Sequence, residues 1–236
     1  MENKLFNEKK IGWEQINEDD KAKIFKFADE YMYYLNNSKT EREAVVTTKE
    51  ILDKNGYRCI CEYEKLNPGD KVYYINRHKS IYVAVIGEDK LEEGLNILGA
   101  HIDSPRLDLK PNPLYEDTGF AYFKTHYYGG IKKYQWTTIP LSIHGVIVKT
   151  SGERIVVNIG EAEDDPIFTI TDLLPHLAME QMEKKLKDGI SGEDLNVLLG
   201  SIPANDKDAK EKVKLNILKI LNEKYLKKSA FQTLLI

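Results

Sequence analysis

The sequence has 236 residues, 42% of them hydrophobic and 31% charged, with a formal net charge of −4. That is the balance of a soluble globular chain, long enough for one large domain or two small ones. A mildly acidic chain with interspersed Lys and Glu lacks the basic stripe of a nucleic-acid binder, and no apolar run reaches the roughly 18 residues that would cross a bilayer.

The first stretch, "MENKLFNEKKIGWEQ", is charged and has no apolar centre, so no secretory signal is read there. Residues 19–36 space Ile24, Phe25, Phe27, Ala28, Tyr31 and Leu35 as one face of an amphipathic helix. A second helix opens on the capping-box pair Thr40 and Glu43, carries Ala44, Val45, Ile51 and Leu52, and stops at Gly56. "YRCICEY", "KVYYINRH" and "SIYVAVIGE" follow, bounded by turn formers, and read as strands. The only two cysteines, Cys59 and Cys61, suit a reducing cytoplasm. With no second pair to complete a metal site, and too close in an extended segment for an ordinary disulfide, they read as strand thiols.

"GLNILGAHI" is a continuously apolar run and is expected to be a buried central strand with a polar exit. Two helices followed by strands indicate an α/β layer. After Pro111 the texture becomes mostly β, with a hairpin in "SIHGVIVKTSGERIVVNIG" whose loop lies near Thr150 to Glu153. "TITDLLPHLAMEQMEKKLKDG" is expected to be helical, with Thr171 or Asp172 as N-cap, Pro175 in the first turn and Gly189 as the stop. A loop with a short apolar strand leads to an amphipathic helix in "DKDAKEKVKLNILKILNEKYLKK", with Val213, Ile217, Ile220 and Leu221 on one face.

His101 and Asp103 carry the strongest chemical signal. Two residues apart in extended chain, they point to one side, at the carboxyl end of a strand where α/β proteins place ligands. An imidazole can hold zinc through one nitrogen while a carboxylate accepts a hydrogen bond from the other. H-x-D also recurs as a plain hydrogen-bonded pair at a strand end, and the spacing alone leaves both readings open. Glu92–Glu93 and Asp164–Asp165 sit in loop-like sequence, and His78, His126 and His144 read as structural or surface residues.

Three ordered segments go further. "GAHIDSPRLDLKP", "YYGGIKKYQWTTIPLSIHGVIV" and "DLLPHLAMEQM" resemble successive blocks of the aspartyl aminopeptidase and vacuolar aminopeptidase I family of co-catalytic zinc exopeptidases, in its bacterial branch. The resemblance covers nearly the whole chain. It implies that His101 is a zinc ligand, that Asp103 orients it, and that His176 reaches a partner subunit's active site to contact substrate. It further implies an α/β fold in two parts. Residues 1–111 would form the first half of a peptidase domain, and residues 112–236 a β-rich inserted dimerisation domain with helices. The remaining family features are two zinc ions, whose place other divalent ions can take, peptide substrates and a homodimer that builds a larger homo-oligomer. A cytoplasmic location, with no membrane or nucleic-acid partner, completes the expectation. The family's bridging Asp, Glu-Glu pair and final His all follow the inserted domain, and no counterpart is found here. The chain is therefore expected to be an N-terminal fragment of a zinc aminopeptidase, inactive alone. The alternative is a non-catalytic dimerisation chain that associates with full-length homologues.

Overall fold

The computed structural model describes residues 9–149 and 151–223. Thr150 of the expected hairpin loop, the first eight residues of the leader reading, and the stretch 224–228 of the last expected helix lie outside the described residues. The chain divides into two compact units, Met1–Asp103 and Ser104–Ile236.

In the first unit, helix α1 (Glu18–Asn36) starts where the Asn17 side chain accepts from the Asp20 backbone N–H. Helix α2 (Glu41–Lys54) starts on the capping box expected from Thr40 and Glu43. Thr40 Oγ1 accepts from the Glu43 N–H, and Glu43 Oε2 accepts from the Thr40 N–H at 3.0 Å. Both satisfy donors that a helix start otherwise leaves open. At its other end Gly56 takes φ +80°, and the Gly56 and Tyr57 N–H groups donate to the Asp53 and Leu52 carbonyls. This is the glycine-closed Schellman stop. Thr40→Ala is expected to cost about 1 kcal/mol, read as a lower urea midpoint.

Strands β1 (Arg58–Cys59), β2 (Lys71–Asn76) and β3 (Ser80–Val85) form one sheet in that order. β1 runs parallel to β2, and β2 pairs antiparallel with β3. The turn between β2 and β3 places Arg77 and His78 at φ +51° and +58°, which fits His78 as a turn residue. Tyr73 Oη of β2 donates to Asp53 Oδ1 of α2 at 3.1 Å. Lys49 bonds the other oxygen, and its bond is the main cause holding the Asp53 carboxyl below its ordinary range.

Among its described residues the unit buries little: Ser38, Ala44, Val45, Thr47, Val72 and Tyr73 pack inside, while no residue of α1 is buried. The apolar stripe expected along α1 is present, but Phe25, Phe27, Tyr31 and Leu35 are all exposed. Two further expectations are corrected here. Cys59 and Cys61 are joined in a disulfide, with Cα atoms 5.2 Å apart. The chain leaves β1 at Cys59 and turns through a single 3-10 turn, Ile60–Glu62, so the segment is not extended through both cysteines. The run from Gly94 to Pro105 is neither strand nor helix. Ile97 is 80% exposed and Leu98 wholly so. An apolar run becomes a strand only when a neighbour accepts and donates its backbone bonds, and among the described residues none does so here.

In the second unit, β4 (Arg106–Asp117), β5 (Phe120–Tyr128) and β8 (Val197–Gly200) form an antiparallel sheet. The change of texture at Pro111 therefore falls inside β4, where the β4–β5 register shifts between Leu109 and Leu114. β6 (Ile143–Val148) and β7 (Arg154–Ile159) form the expected hairpin. Phe123, Val157, Ile159, Phe168, Ile170, Ile190, Leu195 and Val197 make one buried cluster between these elements.

The helix expected across residues 172–189 is reduced to one turn, α3 (Met179–Met182). Leu173, Leu174, Leu177, Met179 and Met182 are exposed, so no packed face supports a longer helix, and short unsupported helices are marginal in water. The last helix, α4 (Lys212–Leu221), buries Val213. Its Lys214 N–H donates to Glu116 of β4.

Candidate metal centre

His101 and Asp103 close the first unit. His101 Nδ1 lies 3.0 Å from the Asp103 carbonyl oxygen and 3.2 Å from Asp103 Oδ1. The carbonyl oxygen can only accept, so Nδ1 carries a hydrogen toward Asp103, and Nε2 is the nitrogen available to a metal. The His101 side chain is 83% exposed, so a metal or a second polypeptide can reach it. The two residues expected to act together are thus brought together, on irregular chain rather than at a strand end.

The donor set suits zinc as far as it goes. A catalytic zinc ion takes three protein ligands, and among the described residues no group of three or more His, Cys, Asp or Glu side chains could hold a metal. Glu92 and Glu93 form an exposed 3-10 turn, in line with their reading as loop residues. Asp165 accepts from the Gly160 and Ala162 N–H groups and so closes a turn.

His176, expected in the first turn of a helix, stands in a turn between the exposed Leu174 and Leu177. The Leu177 N–H donates to the Leu174 carbonyl across it. Beside it, Tyr134, Asp172, Pro175, Met182 and Ile190 line an open cavity of about 380 Å³. Asp172 is engaged internally, accepting from its neighbour Leu173 and from Gln181.

One polar cluster escaped the sequence reading. His144 Nε2 lies 3.1 Å from Ser142 Oγ and 3.0 Å from Glu161 Oε1, and Ser142 lies 3.0 Å from the same glutamate oxygen. The alternation S-x-H where the chain enters β6 was the available signal, but Glu161 joins only through the hairpin. Serine and carboxylate meet the same ring nitrogen, whereas a nucleophilic triad needs them on opposite nitrogens. The cluster pins the strand to the turn after β7.

Comparison with known proteins agrees with these blocks. The family pattern described as Aminopeptidase I zinc metalloprotease (M18) matches residues 34–232. The chain belongs to the M18 aminopeptidase family. It is 52% identical over 229 residues to the probable M18 family aminopeptidase 1 of Clostridium acetobutylicum, covering 95% of this chain and 49% of that relative. The crystal structure of the M18 aminopeptidase from Thermotoga maritima matches with a TM-score of 0.84 at 46% identity, over 93% of this chain and 47% of that one. That of aminopeptidase I from C. acetobutylicum matches at 0.81 and 48% identity, over 94% and 49%. The chain therefore spans about half the length of the relatives it matches. No helix among the described residues is long and apolar enough to cross a membrane.

Proposed function

We propose that this chain provides one half of a zinc-dependent aminopeptidase that removes N-terminal residues from peptides, with His101 as a metal ligand. The observation that carries the reading is the His101–Asp103 pair, in which Asp103 engages Nδ1 and so orients the ring, in a member of a zinc metalloprotease family. Zinc bound there would acidify a water and polarise a scissile carbonyl. Asp103 holds the imidazole in the right tautomer and orientation. Two zinc ions are part of the reading, and the other ligands and the base would come from polypeptide corresponding to the unmatched half of the relatives.

In this reading residues 1–111 belong to the peptidase domain and residues 112–236 to an inserted dimerisation domain. The exposed turn around His176, with Leu174, Leu177 and Met179, faces a second copy, and His176 contacts substrate bound there. The assembly is a homodimer that builds a larger homo-oligomer, and its location is the cytoplasm. A second reading, a non-catalytic chain that only associates with full-length homologues, is favoured by the absence of a three-ligand cluster among the described residues.

The test is hydrolysis of aminoacyl chromogenic substrates with zinc, cobalt or manganese. The chain is assayed alone and after co-expression with the unmatched half of the C. acetobutylicum relative. Turnover is expected only after co-expression. Turnover by the chain alone would overturn the division of ligands. A complex that stays inactive with every metal would favour the non-catalytic reading.

A further inference from the structure

We infer that Cys59 and Cys61 form a reversible thiol–disulfide exchange site for low-molecular-weight disulfides, and that reducing it lets residues 60–62 extend β1 along β2. They are the only two cysteines in the sequence, and they are bridged to each other. Cys61 is exposed, Cys59 is half-buried, and no residue of the 3-10 turn Ile60–Glu62 is buried. Access of this kind separates exchangeable bridges from inert ones. The bridge spans a sequence separation of 2. A cross-link stabilises a fold chiefly by closing a long loop, so this one contributes little as a staple. Its effect is local, because it ties the end of β1 to the turn that follows.

The sheet has a place for the reduced segment. β2 pairs with β3 along all of Lys71–Asn76, but with β1 at Val72 and Tyr73 alone. Among the described residues Tyr74, Ile75 and Asn76 have no strand partner on the β1 side. Continuing the register of Cys59 with Tyr73 sets Ile60 beside Tyr74 and Cys61 beside Ile75. Ile60 is 38% exposed and Tyr74 51%, and the Tyr74 ring already lies 6.4 Å from that of Tyr82 on β3. Pairing would cover this apolar surface and give the turn's backbone groups strand partners. The composition of "YRCICEY" favours the same state. The disulfide opposes it. Residues two apart in a strand have Cα atoms about 6.4–6.8 Å apart, the far limit of what a disulfide spans, whereas the bridged pair stands at 5.2 Å. The disulfide thus holds the turn, and the thiols release the strand.

The exchange balances. The Cys61 thiolate attacks one sulfur of a disulfide RSSR, forming a mixed disulfide and expelling one thiolate. The Cys59 thiolate then attacks Cys61 Sγ and expels the other. The two cysteines lose two electrons, RSSR is reduced to two RSH, and both cysteine protons end on them. Reduction runs the same steps backwards.

The experiment equilibrates the full 236-residue chain, without denaturant, in mixtures of reduced and oxidised glutathione, and reads thiol alkylation by mass spectrometry. The pair is expected to pass from thiols to an internal disulfide as the oxidised share rises, with no glutathione retained, and to return when the ratio is reversed. Cys59→Ser removes the second step and is expected to keep one glutathione on Cys61. Hydrogen exchange reads the strand: amides of residues 60–62 are expected to exchange at least about tenfold more slowly in the reduced chain than in the oxidised one. The double variant Cys59→Ser with Cys61→Ser cannot bridge and is expected to show the slow pattern at every ratio. Neither position is among the buried residues, so these variants are expected to fold. The inference is overturned by a bridge that persists in excess reduced glutathione, by thiols that stay free in oxidised glutathione, by glutathione retained on the unsubstituted chain, or by equal exchange at 60–62 in both forms. None of these readouts involves peptide hydrolysis, so the inference stands or falls apart from the aminopeptidase reading.

Discussion

Replacing His101 with alanine is expected to lower kcat/KM of the co-expressed enzyme at least about a hundredfold, because a metal that polarises the carbonyl contributes several kcal/mol to the transition state. Bound zinc per complex, read by elemental analysis, is expected to fall in parallel. Folding is not at stake: the His101 side chain is 83% exposed, and among the described residues it bonds to Asp103, two positions away. Asp103→Asn sharpens the test. Loss of an orienting carboxylate ordinarily costs 10–100-fold, on the order of second-sphere effects. Here the backbone carbonyl of residue 103, at 3.0 Å, accepts from the same Nδ1 and survives the substitution. The expected loss is therefore near the lower end, about tenfold. Unchanged activity and zinc content in His101→Ala would remove His101 from the metal site and with it the carrying observation.

Leu195→Ala is expected to destabilise the second unit by about 2–5 kcal/mol, the usual range for emptying a packed leucine site. Leu195 has no solvent exposure and lies in the cluster with Phe123, Ile170 and Val197. Its carbonyl also accepts from Thr125 Oγ1 of β5, so the segment cannot easily move to fill the cavity. Marginal domain stability of about 5–15 kcal/mol makes such a loss large. Urea unfolding should show a lower midpoint with an unchanged slope. Leu98→Ala is the matched contrast: the same residue type, wholly exposed, is expected to stay within about 0.5 kcal/mol in the free chain. A Leu195→Ala loss no larger than that would mean the cluster is not the core of the unit.

The comparison of sequence with structure turns on how local each signal was. The start of α2 was legible because Thr40 and Glu43 settle it among themselves, and its end because Gly56 can take φ +80°. The hairpin β6–β7 was legible because alternating β-branched residues flank a short turn. His101 and Asp103 were legible as a pair because a spacing of two in extended chain brings the side chains to one side, and Nδ1 and Oδ1 indeed lie 3.2 Å apart.

Two of the misses share one cause, and the third was local. "GLNILGAHI" has a strand's composition, but a strand needs a neighbour, which the sequence of one segment does not contain. "DLLPHLAMEQM" has helical spacing, but without a surface to pack on only Met179–Met182 closes a turn. The cysteines were judged on an extended backbone, and the 3-10 turn after Cys59 removed that premise. Family membership, the capped helix, the hairpin and the imidazole–carboxylate pair were thus within reach of the residues themselves, since each rests on neighbours a few positions apart. Tertiary structure alone decided which apolar residues are buried and joined Glu161 to His144, because those outcomes depend on contacts between segments far apart in the chain.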